Sequence, residues 1–123
     1  MLKVKEEMKD LNNQLEGFYG TESYFYKHWQ GVFTDGIKAM ADKFRASWLI
    51  DLVFSYQDKK INSIPFQIWE IVSTGDKATV EMKEDTDKPI LVRQKIGYTD
   101  FPKGTLKMYY ISENDVLMLP NEY

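Results

Sequence analysis

The chain has 123 residues, 43% hydrophobic and 15% aromatic, with 16 basic against 19 acidic residues and no cysteine. That is enough apolar content for one buried core and too much for a disordered chain, and the length fits a single domain over residues 1–123. The missing cysteines exclude disulfides, thiolate nucleophiles and cysteine-based zinc sites, while a formal charge of −3 argues against a general nucleic-acid binder, which usually shows a concentrated basic face.

Residues 2–16 carry Val4, Met8, Leu11 and Leu15 on one helical face, with lysines and acids around the rest. This pattern predicts an amphipathic helix that docks at the periphery of the core, with Gly17 as its stop. The same residues lack the apolar run of a signal peptide, and nothing in the chain approaches the roughly 18 apolar residues of a membrane span. The expected compartment is the cytoplasm.

Residues 18–33 are dense in aromatics, and helix and strand cannot be separated there by pattern. Tyr24, Tyr26 and Trp29, with Trp48 further on, are the candidates for an aromatic-lined ligand pocket. The alternative is a well-packed flap over the core. Thr34 or Asp35 then caps a helix over 35–44, whose Ile37, Met40, Ala41 and Phe44 share a face. A second helix, 47–57, is apolar nearly all round except for Ser47, Asp51 and Ser55, and should lie at the centre of the fold.

After a polar link at 58–64 the pattern changes to that of strands. Segments at about 65–73, 77–83, 90–97, 105–112 and 115–119 alternate or are rich in β-formers, with a tight turn at Thr74–Lys77. The expected fold class is α+β. Helices at about 2–16, 35–44 and 47–57 would pack on an antiparallel meander of four to five strands.

Candidate chemistry is sparse. His28 is the only histidine and the one group that titrates near neutrality. Asp51 stands in an apolar helix and needs water, a donor or a cation. It can be served by Ser47 and the helix N-terminus, or it can pair with His28 or a tyrosine hydroxyl. Asp35 and Asp100 each follow a threonine beside aromatics and read first as turn or cap residues. No phosphate-binding glycine loop is present, and no cofactor or metal is implied.

Several blocks carry a resemblance. They are Gly20-Thr21-Glu22 with Lys27-His28, Thr34-Asp35-Gly36, Trp48-Leu49-Ile50-Asp51, Ser55-Tyr56-Gln57, Phe66-Gln67-Ile68-Trp69, Tyr98-Thr99-Asp100-Phe101-Pro102 and Leu117 to Tyr123. In order and spacing, over residues 17–123, they resemble the domain-of-unknown-function family 6876 of small bacterial proteins. The family's link before Phe-Gln-Ile-Trp is often longer, and other residues follow its histidine. The resemblance implies one domain in a bacterial or mobile-element setting and supplies no catalytic residue.

Three functional readings follow. The first is a non-catalytic interaction or accessory protein, a homodimer or the partner of another protein, acting away from membranes and nucleic acid. The second is a small-molecule-binding domain. The third is an enzyme using His28 with Asp35, Asp51 or Asp100.

Overall fold

The computed structural model describes residues 9–15, 25–28 and 30–123. The predicted helix over 2–16 therefore lies mostly outside the described residues, as do Tyr24 and Trp29. Within that segment Leu11–Leu15 forms a short 3-10 helix that buries Leu11 and Leu15.

The sheet corrects the expected fold class. It has seven strands and is mixed, not an antiparallel meander of four or five. Two strands come from the aromatic segment: β1, Phe25–His28, and β2, Gly31–Thr34, form an antiparallel hairpin. Helices α1, Asp35–Phe44, α2, Ser47–Ser55, and a short α3, Lys59–Asn62, follow. The remaining strands are β3, Phe66–Ser73, β4, Ala78–Lys83, β5, Val92–Ile96, β6, Gly104–Ile111, and β7, Val116–Met118. A 3-10 turn, Pro120–Glu122, comes last.

The spatial order is β1-β2-β7-β6-β3-β4-β5. Only β3, β4 and β5 run as a meander. β6 returns across the sheet to pair with β3 along its whole length, leaving β5 as an edge. β7 slots in parallel to β2 and antiparallel to β6, so it joins the N-terminal hairpin to the rest. Local propensity encodes none of these long-range pairings, and a meander is only the default for consecutive strands.

The period of two decides which face is buried. Trp69 and Ile71 of β3, Val80 and Met82 of β4, and Leu106, Met108 and Tyr110 of β6 all point to one face and are fully buried. Ile37, Met40, Leu49, Val53 and Phe54 of the two longer helices pack there and complete the core. α1 forms as its spacing and cap predict. Thr34 Oγ1 accepts the Ile37 N–H, and Arg45 closes the helix in the left-handed region at φ 53°. α2 ends at Ser55 and turns Ser47, Asp51 and Ser55 to solvent. The opposite sheet face carries Glu70, Glu81, Lys83, Lys107 and Tyr109, none of them fully buried.

Candidate functional site

The hairpin's turn brings His28 to α2. His28 Nε2 lies 3.0 Å from Asp51 Oδ1, and the imidazole stacks on Phe54 at 4.3 Å and 8°. The backbone N–H of Gln30 points at His28 Nδ1 at 3.3 Å. With Nδ1 accepting, the ring proton belongs on Nε2, donated to Asp51. The Asp51 side chain is 73% exposed and that of His28 10%, so the pair sits at a surface and not in a buried pocket. Both ring nitrogens are engaged, one by a residue only two positions away, and these contacts join the hairpin to α2.

Behind Phe54 lies a polar network. Tyr110 sits edge-on to Phe54 and donates its hydroxyl to Asp115 Oδ1 at 2.7 Å. Burial, then the adjoining Asp115 carboxylate, push the Tyr110 hydroxyl well above the ordinary tyrosine value, with Asn62 opposing. The Asn62 amide donates to both Asp115 and Gln57 at 3.0 Å. Gln57 and Gln67 exchange reciprocal amide bonds at 2.9 and 3.0 Å, and Gln67 Oε1 also accepts the Trp69 indole at 2.9 Å. Gln67, wholly buried, further donates to the Ile61 and Ile64 carbonyls. A chain of bonds thus runs from the core to the β6–β7 turn and ties down α3. Gly31 is required beside it, because a Cβ there would collide with the Asp115 carbonyl.

A third polar centre joins the last turn to the start of α1. The buried Glu122 accepts from Thr34 Oγ1 at 2.5 Å and the Leu119 N–H at 2.9 Å on Oε1, and from the Gly36 N–H at 3.0 Å on Oε2. A carboxylate at a helix N-terminus meets both orphan N–H groups and the positive end of the dipole. A Cβ at Gly36 would meet Glu122 Oε1 at 2.5 Å, so the approach needs glycine.

The other sequence-derived candidates are not brought to His28. Asp35 opens α1 just past Thr34, which pairs with Phe25 at the end of the hairpin away from the His28–Gly31 pair. Asp100 accepts the Tyr98 hydroxyl at 3.2 Å in the loop before β6, whereas His28 lies by the β6–β7 end. Tyr26 stacks on Phe33 at 5.6 Å, and Trp48 packs edge-on to Phe101 at 6.5 Å, well apart on the fold. Sequence reasoning passed over Gln67 and Glu122. Gln67 had a readable signal, since it shares strand parity with Trp69 and Ile71 and must face the core. Glu122 had none beyond its place in the final block.

The sheet has two edge strands, β1 and β5, and the β5 edge has its own chemistry. Ile90, Leu91 and Tyr98, at the two ends of β5, are exposed, Tyr98 at 76%. Arg93 and Lys95 project from β5 to the open face, Arg93 bonding Glu81 at 2.9 Å.

A model described as a family of unknown function, DUF6876, matches residues 9–123. The chain belongs to that family. The DUF6876 match extends further back than the 17–123 spanned by the resembling blocks, and takes in the Leu11–Leu15 turn. No curated protein and no solved structure matches the chain. No function is assigned to DUF6876. Among the described residues of this member, no helix is long and apolar enough to cross a membrane, and no group of three or more His, Asp or Glu comes together as a metal site.

Proposed function

We propose that the chain is a non-catalytic interaction protein that takes an extended segment of a partner along the edge of β5. One observation carries this reading: of five exposed large hydrophobic side chains among the described residues, Ile90, Leu91 and Tyr98 flank that one edge. An edge strand offers unpaired backbone groups, and an edge guarded only against aggregation would not be flanked by apolar side chains. Adding a strand lets the main chain supply affinity and alternate side chains supply specificity.

Charge chooses the partner. Arg93 and Lys95 share the open face, so antiparallel pairing of β5 with a second copy would oppose cations to cations. A segment alternating acidic and apolar residues complements them. The interface would be small, which suits a transient contact.

The test is an amide-resolved NMR titration with a short blocked peptide alternating glutamate with valine, and with its lysine counterpart. The acidic peptide should shift amides of residues 91–97, and Leu91→Asp, folded by circular dichroism, should abolish the effect. Equal response to both peptides, response to neither, or a β5-mediated homodimer on sizing with light scattering would overturn the reading.

A further inference from the structure

Away from β5, on the same open face, two separate pieces of chain share the outer edge of β6. β7 covers Tyr109 to Ile111. The segment before the first 3-10 turn covers the earlier part: the Thr105 N–H donates to the Lys9 carbonyl at 2.9 Å. The Asn12 amide brackets Lys107, donating to its carbonyl at 2.9 Å and accepting its N–H at 2.8 Å. Between the two pieces a groove of about 600 Å³ opens over Glu70, Thr105, Lys107 and Tyr109. Asp10 and Asn13 wall one side, Pro120 and Asn121 the other. It runs on into a recess of about 210 Å³ over Ile68 and Lys83 that shares Glu70 and Lys107.

The lining selects a class of ligand by elimination. Three carboxylates, Asp10, Glu70 and Glu81, stand among Lys83, Lys107 and the Arg93 that bonds Glu81, so no net positive charge is concentrated there, which disfavours phosphates and other anions. Apolar wall is confined to Ile68, Tyr109 and Pro120, too little for a lipid-like molecule. What remains is dense in groups that both donate and accept: the Asn13 and Asn121 amides, the Thr105 hydroxyl, and a carboxylate beside an ammonium. The one aromatic wall, Tyr109, is held by edge contacts to Phe66 at 4.8 Å and Tyr123 at 5.8 Å. The bracketing of Lys107 by Asn12 fixes the floor before any ligand arrives.

We infer that this groove binds a short uncharged oligosaccharide. Its hydroxyls, each donor and acceptor, are met by the amides and by Glu70 and Lys107, cross-strand neighbours on the groove floor, and the less polar face of one sugar ring lies against Tyr109. The recess toward Lys83 gives the saccharide its direction across β6, β3 and β4. The groove over Thr105 and Tyr109 lies away from the β5 edge, and only the far recess approaches it, where Glu81 bonds Arg93.

Amide-resolved NMR with maltotriose, cellotriose and triacetylchitotriose, and with inorganic phosphate as the anionic probe, tests the inference. At least one sugar should shift the amides of Glu70, Thr105, Lys107 and Tyr109 with saturation at millimolar concentration, and phosphate should not. Asn13→Ala and Asn121→Ala change exposed side chains and should leave the fold intact. Each should weaken the sugar about fivefold, the loss of one hydrogen bond. Shifts from none of the three sugars, stronger shifts from phosphate, or affinity unchanged in both variants would overturn it.

Discussion

Removing the Glu122 carboxylate should cost more than any other substitution outside the apolar core. Glu122→Ala strips acceptors from the Thr34 hydroxyl and from the buried Leu119 and Gly36 N–H groups. The hydroxyl can rotate to another partner, but the two N–H groups cannot, and each buried donor left unmet costs about 1–2 kcal/mol. Losing an anion from the α1 N-terminus adds about 0.5–1 kcal/mol. The expected loss is about 3–4 kcal/mol, or about 10–15 °C in Tm for a chain of this size. Glu122→Gln keeps the shape but turns one acceptor into a donor that faces existing donors, and should cost about 2 kcal/mol. Urea unfolding followed by tryptophan fluorescence measures both. A loss below about 1 kcal/mol for the alanine variant, or a glutamine variant equal to wild type, would refute the assignment of a latch to this carboxylate.

Other expectations follow from the same contacts. Tyr110 is raised in the folded state above its unfolded value, so its contribution to stability is full below pH ~10 and is lost as pH rises beyond it, with a slope approaching about 1.4 kcal/mol per pH unit. Tyr110→Phe should remove that slope, read from urea midpoints across the alkaline range. Asp51→Ala should cost under about 1 kcal/mol because Asp51 is exposed, whereas His28→Ala, losing the ring stacked on Phe54, should cost about 2 kcal/mol. Equal losses in chemical denaturation would mean that the hydrogen bond to Asp51, not the stacking, fastens the hairpin. Gln67→Leu should cost about 2–3 kcal/mol by orphaning the Trp69 indole and two carbonyls, and should blue-shift or broaden the tryptophan emission.

Local features of the chain were readable where one residue's neighbours decide its state. The cap at Thr34, the face shared by Ile37, Met40, Ala41 and Phe44, and the turn at Thr74–Lys77 with Gly75 at φ 102° each follow from short-range rules. The sheet was not readable, because its order depends on partners far apart. β6 prefers the full length of β3 to the edge of β5, and β2 meets β7 in parallel. The hairpin at 25–34 was masked by aromatics, which fit strand and helix equally by pattern. Among candidate residues, Asp51 and His28 do meet, but no sequence signal showed that Gln30 would engage the ring's other nitrogen or that Asp51 would face solvent. The Thr34–Glu122 bond spans 88 positions, and only tertiary geometry reveals such a contact.

The three-residue strand β7 has a consequence for how the chain is made. Among the described residues it is the one strand that touches both β2 and β6, and it emerges from the ribosome after the other six. Until it does, β1 and β2 are a two-strand ribbon held by the helices alone and not joined to the other strands, and such a ribbon is marginal in water. Synthesis at about 5–20 residues per second therefore leaves the early aromatic hairpin waiting several seconds for its anchor. Such late closure of distant pairs slows folding and leaves the growing chain as a client for chaperones. Truncation before Val116 would cost the sheet its junction as well as β7.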